Sequence, residues 1–161
     1  MNVAVGLVEG LPSVDVELLG DFIDPAGVRI TPGRRRLDLE TTLVPADPSW
    51  SSFALDEVTI GIGFHWERKE RQAFRGALRI LRRPAGLTVV NDVPLEEYVA
   101  SVISSEMSAT CPLELLKAHA VISRSWLKGP AAAGVAPSGP DAPGEIRRWY
   151  GREAHPDFEV C

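Results

Sequence analysis

Cysteine is scarce: Cys111 and Cys161 are the only two in 161 residues. Two thiols cannot staple a disulfide scaffold. Long apolar runs are missing as well. No stretch approaches the roughly 18 apolar residues that span a bilayer, and no basic segment followed by an apolar one comes after Met1 to mark a signal peptide in this chain. Positive charge is in deficit, with 17 Lys and Arg against 22 Asp and Glu and a net charge of −5. That excludes a global basic surface for nucleic acid or anionic membrane. What remains is an ordinary globular composition, 45% hydrophobic and 24% charged, in a chain long enough for a single domain with a real core.

Residues 1–91 carry a β pattern. Val3, Val5 and Leu7 alternate, as do Val14, Val16 and Leu18; then come Leu37, Leu39, Thr41 and Leu43; Val58, Ile60, Ile62 and Phe64; and Phe74, Leu78 and Ile80 around Gly76. Turn signals at Glu9-Gly10, Asp24–Gly27, Thr31–Gly33 and Arg83–Gly86 separate them. The spacing predicts short antiparallel strands in a meander or small barrel-like sheet. Gly61 and Gly63 leave one face of a strand bare, so something packs closely there. The basic runs Arg34–Arg36 and Arg68–Arg83 read first as solvated strand edges or hairpin tips.

Residues 92–127 read as two helices broken near Ser108–Pro112, with Pro94 and Pro112 each at a first helical position. On a wheel of about 100° per residue, Leu95, Tyr98, Val99 and Val102 share one side of the first helix. Glu106 falls on that side too, about 20° from Leu95. The second helix is apolar almost all round, which predicts a central element covered on both faces. Arg124 sits within one of those faces, about 20° from Leu113.

Three readings of Glu106 compete on pattern alone. It is a structural ion pair with Arg124, a desolvated carboxyl poised as a general acid, or a solvated residue beyond a frayed helix end. The ion pair comes first, because such pairs are common and also perturb proton affinity.

Residues 128–144 are dominated by Gly, Ala and Pro and predict a mobile loop. Residues 145–161 regain order signals in Ile146, Trp149, Tyr150 and Phe158 before the chain stops at Cys161. The class is therefore α+β: one domain, with an antiparallel β-rich N-terminal half packed on two consecutive central helices, then a loop and a tail.

Residues 91–98 (Asn-Asp-Val-Pro-Leu-Glu-Glu-Tyr), the Ser105-Glu106-Met107 triplet, and the run from Pro112 through Lys117-Ala118-His119-Ala120-Val121 to Arg124 and Trp126 together resemble the signature of the stage II sporulation protein D family. That family includes amidase enhancers and peptidoglycan lytic transglycosylases. Phe74-Arg75-Gly76 resembles the strand upstream of that signature, so the likeness covers Phe74 to Leu127, and His119 stands where the pattern usually has glutamine.

The resemblance implies an exported protein of the periplasm, cell surface or medium whose substrate is the glycan strand of peptidoglycan. Glu106 takes the place of the acid/base. Arg124 is implied to support it, with Asn91, Tyr98, Lys117 and His119 as further residues that support it or line the cleft. A single carboxyl suffices for a lytic transglycosylase: it protonates the glycosidic oxygen, then receives the proton of the sugar's own 6-hydroxyl. Ordinary glycoside hydrolysis uses two carboxylates and a water. The resemblance shifts Glu106 from ion pair toward catalyst and calls for no cofactor. The alternative it carries is a non-catalytic wall-binding module that stimulates a partner amidase.

His155 and Cys161 are six apart, and two ligands do not close a tetrahedral zinc site. They resemble a family segment in which a second cysteine follows, which implies a family domain truncated at Cys161 and a structural zinc in the full-length protein. An unliganded tail and a Cys111–Cys161 disulfide are the other readings. Trp50, and Trp66 in the charged stretch His65–Arg71, are candidates for sugar stacking or for sealing the core edge. Arg68–Arg71 is a candidate contact for acidic wall components.

Overall fold

The computed structural model describes residues 1–61, 63, 65–108, 110–129 and 157–160. Those residues form ten strands and two helices: β1 (Asn2–Leu11), β2 (Val14–Leu18), β3 (Phe22–Ile23), β4 (Arg29–Ile30), β5 (Gly33–Leu37), β6 (Thr41–Pro45), β7 (Ser52–Ile60), β8 (Arg68–Arg75), β9 (Ala77–Arg83), β10 (Gly86–Pro94), α1 (Leu95–Glu106) and α2 (Leu113–Lys128). The strands make a six-stranded sheet in the order β1-β10-β9-β6-β3-β4 and a four-stranded sheet in the order β5-β2-β7-β8. All named strand pairs are antiparallel. The α+β class with antiparallel sheets and two helices stands.

One core is shared by both sheets. Val14, Val16, Leu18, Phe53, Leu55 and Val58 from the smaller sheet meet Phe22, Leu43, Leu78, Ile80, Leu87 and Val89 from the larger. Burying each such side chain stabilises by about 1.5–3 kcal/mol. β10 is buried on both faces: Leu87 and Val89 belong to this core, while Val90 joins Leu81 and Phe158 in a separate cluster.

Two of the sequence patterns divide. Leu37 ends β5 and Thr41 begins β6, and these strands belong to different sheets. Leu39, between them, is exposed. The run around Gly76 likewise splits into β8 of the smaller sheet and β9 of the larger. Gly76, at φ 95°, makes the crossing. A Cβ there would lie 2.4 Å from the Asp92 carbonyl oxygen and 3.1 Å from the Val93 Cα, so only glycine passes that close to β10. β7 ends at Ile60, and Ile62 and Phe64 lie outside the described residues. What packs on Gly61 is the Trp66 ring, 2.2 Å from where a Cβ would be.

Arg34–Arg36 and the first part of the Arg68–Arg83 run become the two edge strands of the smaller sheet, β5 and β8, while the rest of the second run lies in β9, inside the larger sheet. Charged edges discourage pairing with other chains. Their cations are matched by acids on the strands between them, Arg34 and Arg71 with Glu17 and Asp56 and Lys69 with Glu57, and within β8 itself, Arg68 with Glu70. Arg68–Arg71 is thus part of a strand, and its charge is largely neutralised within the sheet.

Residues 157–160 return to β1. The Gly6 N–H donates to the Val160 carbonyl at 2.7 Å, the Glu159 N–H to the Ala4 carbonyl at 2.8 Å, and Val5 and Val160 form a parallel bridge. Arg83 grips Asp157 through Nε at 2.6 Å and also through Nη2. That guanidinium holds the Asp157 carboxyl below the usual carboxylate range, against some desolvation.

Candidate active site

Both helices rest on a small cluster: Val3, Leu95, Val99, Leu127 and Val160, with Val5, Tyr98, Ile103 and Ala120 packed around it. Pro94 and Pro112 prove to be the residues just before the helices, with extended ψ of 139° and 137°, rather than first helical residues. That one-residue offset follows from proline's fit to extended backbone ahead of a helix. The Leu95 N–H, an unpaired donor of the first turn, reaches the Met1 carbonyl at 3.1 Å.

The expected burial of α2 on both faces is not seen. Leu127 is its only buried residue, while Leu113, Leu115, Val121, Ile122 and Trp126 are exposed. The helix lies with one side on the cluster.

Glu106 is the last residue of α1, so the helix does not fray before it. Its side chain is 59% exposed, which removes the premise of a desolvated acid on a buried face. The apolar stripe of α1 is buried at Leu95 and Val99 and opens toward the C-terminus. Glu106 lies beyond that buried part.

Arg124 is not the partner of Glu106. It binds Glu96, donating from Nε to Oε1 at 3.0 Å and from Nη2 to Oε2. The reason is the geometry of a hairpin. The helices run antiparallel, so the end of α1 faces the start of α2, and Arg124 lies about 16 Å farther along at 1.5 Å per residue. It therefore meets the start of α1. This bond holds the Glu96 carboxyl below the usual carboxylate range and raises Arg124.

The partner of Glu106 is His119, with Nε2 2.8 Å from Oε2. His119 is largely covered, its side chain 14% exposed, and its Nδ1 is buried without a hydrogen-bond partner among the described residues. Residue type and spacing gave no direct signal for this pair. The one clue was the hairpin length, which sets Glu106 against the early turns of α2.

A groove runs along α1. One hollow of about 380 Å³ is lined by Arg75, Asn91, Glu97, Tyr98, Ser101 and Ser104, among others. It shares Ala100 and Ser104 with a second, of about 340 Å³, lined by Ile103, Met107, Ser108 and Leu116. The second hollow thus reaches the two residues that follow Glu106. Glu97, the one carboxylate in these walls, is 3.7 Å from Arg75.

The remaining residues of interest divide. Tyr98 and Asn91 line the groove. Asn91 is 4% exposed, however, and its Nδ2 donates to the carbonyls of Arg75 at 2.8 Å and Ala77 at 3.1 Å. Its amide clamps both sides of the Gly76 crossing, a structural task that links the Phe74-Arg75-Gly76 and Asn91 motifs. Lys117 pairs with Glu114 at 2.8 Å and is 60% exposed, outside the groove walls. Trp50 is exposed in the loop before β7. Cys111 is a free, half-buried thiol. His155 and Cys161 lie outside the described residues, as do all but the first two residues of the loop expected at 128–144. No cluster of three or more His, Cys, Asp or Glu that could hold a metal occurs among the described residues.

Residues 83–149 match the family model described as SpoIID, Stage II sporulation protein. That segment takes in all of β10 and both helices, including Asn91, Glu106, His119 and Arg124, and leaves Phe74-Arg75-Gly76 outside it. The chain is 38% identical over 64 residues to Stage II sporulation protein D of Bacillus subtilis. The alignment covers 35% of this chain and 19% of that protein, so the chain spans about a fifth of the relative's length. No solved structure matches. No helix of the described residues is long and apolar enough to cross a membrane.

Proposed function

We propose that this chain cleaves or remodels the glycan strands of peptidoglycan at the exported face of the cell, with Glu106 as a single acid/base. The observation that carries the reading is the placement of Glu106. It ends α1 directly before Met107 and Ser108, which line the second hollow, and the one carboxylate in the walls of the two hollows among the described residues, Glu97, lies beside Arg75. Sequence likeness to a stage II sporulation protein over this same segment supports the assignment to the cell wall.

One carboxyl is enough for the chemistry. Glu106 gives a proton to the glycosidic oxygen as the C1–O bond breaks. The 6-hydroxyl oxygen of the same sugar then bonds to C1, and its proton returns to Glu106. No second carboxylate or water is consumed, unlike ordinary glycoside hydrolysis. Tyr98 and Ser101, on the groove wall, offer hydroxyls to a sugar chain.

A second reading is favoured by one observation. A carboxyl as exposed as Glu106 lacks the apolar pocket that keeps many catalytic acids protonated near neutral pH. In that reading the groove binds wall glycan without cutting it, and the chain stimulates a partner amidase.

Denuded glycan strands separate the two. The enzyme reading predicts anhydro-muropeptide products, detected by mass spectrometry, that fall about 100- to 10,000-fold in Glu106→Gln, the range that general acid–base groups contribute. Equal product from both proteins sinks it. Wall binding without product establishes the module instead.

A further inference from the structure

Among the described residues, His119 is a largely covered titratable group at the site that the single-acid scheme leaves unused. We infer that His119 is a positioning residue for Glu106: as the neutral Nε2–H tautomer it donates to Oε2 and reserves Oε1 for the travelling proton. This rests on the proposed role of Glu106 in glycan cleavage.

The tautomer follows from the two ring nitrogens. Nε2 lies 2.8 Å from Oε2, and Nδ1 is buried with no partner among the described residues. If Glu106 supplied the shared proton, or if the ring were an imidazolium, Nδ1 would carry an N–H with no acceptor. Orphaned buried N–H groups are rarer than under-satisfied acceptors, because an unmade donor bond is costly. With the proton on Nε2, Nδ1 exposes only a lone pair, and the bond to the carboxylate is charge-assisted. Other charges nearby are engaged elsewhere: Lys117 with Glu114 and Arg124 with Glu96.

Exposure then divides the carboxyl. His119 is largely covered while Glu106 is mostly open, and the ring nitrogen occupies Oε2, which leaves Oε1 as the oxygen without a bond to the ring. Oε2 accepts from Nε2–H in both states of the cycle, whether the carboxyl is protonated on Oε1 or ionised. The histidine proton never transfers. Its contribution is orientation: an exposed glutamate at a helix end has three free torsions, and the bond to a covered ring removes most of that freedom.

Nitrogen-15 NMR of the imidazoles near neutral pH, assigned by loss of the signal in His119→Gln, is the direct test. The expected signature is protonated Nε2 and unprotonated Nδ1; an Nδ1–H tautomer or an imidazolium overturns the inference. Kinetics on denuded glycan strands supply the second readout. His119→Ala is expected to lower kcat by up to about 100-fold, the cost of a misplaced catalytic group, with KM little changed. His119→Gln, whose amide keeps a donor, is expected to restore most of that loss. Equal losses in both variants, or none in either, overturn the positioning role. Should wild type give no product above the Glu106→Gln floor, the glycan-cleavage reading has failed instead, and the NMR result alone then upholds or overturns the tautomer.

Discussion

Gly76→Ala places a methyl group where the chain crosses from β8 of the smaller sheet to β9 of the larger. The residue sits at φ 95°, a region that costs an L-residue about 1–3 kcal/mol. The added Cβ would also lie 2.4 Å from the Asp92 carbonyl oxygen and 3.2 Å from Nδ2 of Asn91. The nearest of these atoms is backbone of β10 and cannot swing aside. Overpacking of this kind adds about 1–3 kcal/mol, giving a total of about 2–6 kcal/mol. Gly27→Ala is the matched control, since Gly27 has φ 81° and no atom within 4 Å of an added Cβ. It should show the backbone strain alone. Urea unfolding followed by circular dichroism measures both, and the thermal midpoint should drop by about 2–4 °C per kcal/mol for a chain of this size. If Gly76→Ala is no worse than Gly27→Ala, the close approach of the crossing to β10, and with it the clamping task given to Asn91, is refuted.

The Arg124–Glu96 bond predicts a pH dependence. Because the Glu96 carboxyl is held below its ordinary range in the folded chain, the bond's contribution is whole above the ordinary carboxylate range and is lost as pH falls through the lowered value. Glu96→Gln should flatten that part of the thermal midpoint's pH profile, and an unchanged profile would contradict the pairing. The tail gives another test. Asp157→Asn weakens the grip of Arg83, so amide exchange at Gly6, whose N–H donates to Val160, should accelerate while amides of the shared core keep their protection. Unchanged exchange at Gly6 would show that the backbone bridge holds without the ion pair.

Part of the fold was legible because β2 and the start of β1 carry apolar residues in alternation, and in β2 these meet a buried face. The breaks at Leu37–Thr41 and at Gly76 were not, since a strand that changes sheets keeps the same alternation across the change. Glu106 stood out because it broke an apolar stripe. Its environment did not, because wheel angles carry no information about how far the buried cluster extends along a helix. Arg124 was misassigned on angle alone, whereas helix length in a hairpin would have placed it against Glu96. The resemblance had put His119 among the supporting residues, but its direct pairing with Glu106 and its covered position were hidden by the same gap. Asn91 looked like a cleft residue and is first a clamp, since its amide is committed to Arg75 and Ala77.

The most direct measurement is the release of anhydro-muropeptides from denuded glycan strands by wild type and Glu106→Gln at equal concentration, with both proteins verified as folded. A single acid/base at Glu106 predicts anhydro products from wild type and a loss of about 100-fold or more in the variant. Equal yields from the two proteins, or none from either, would contradict it.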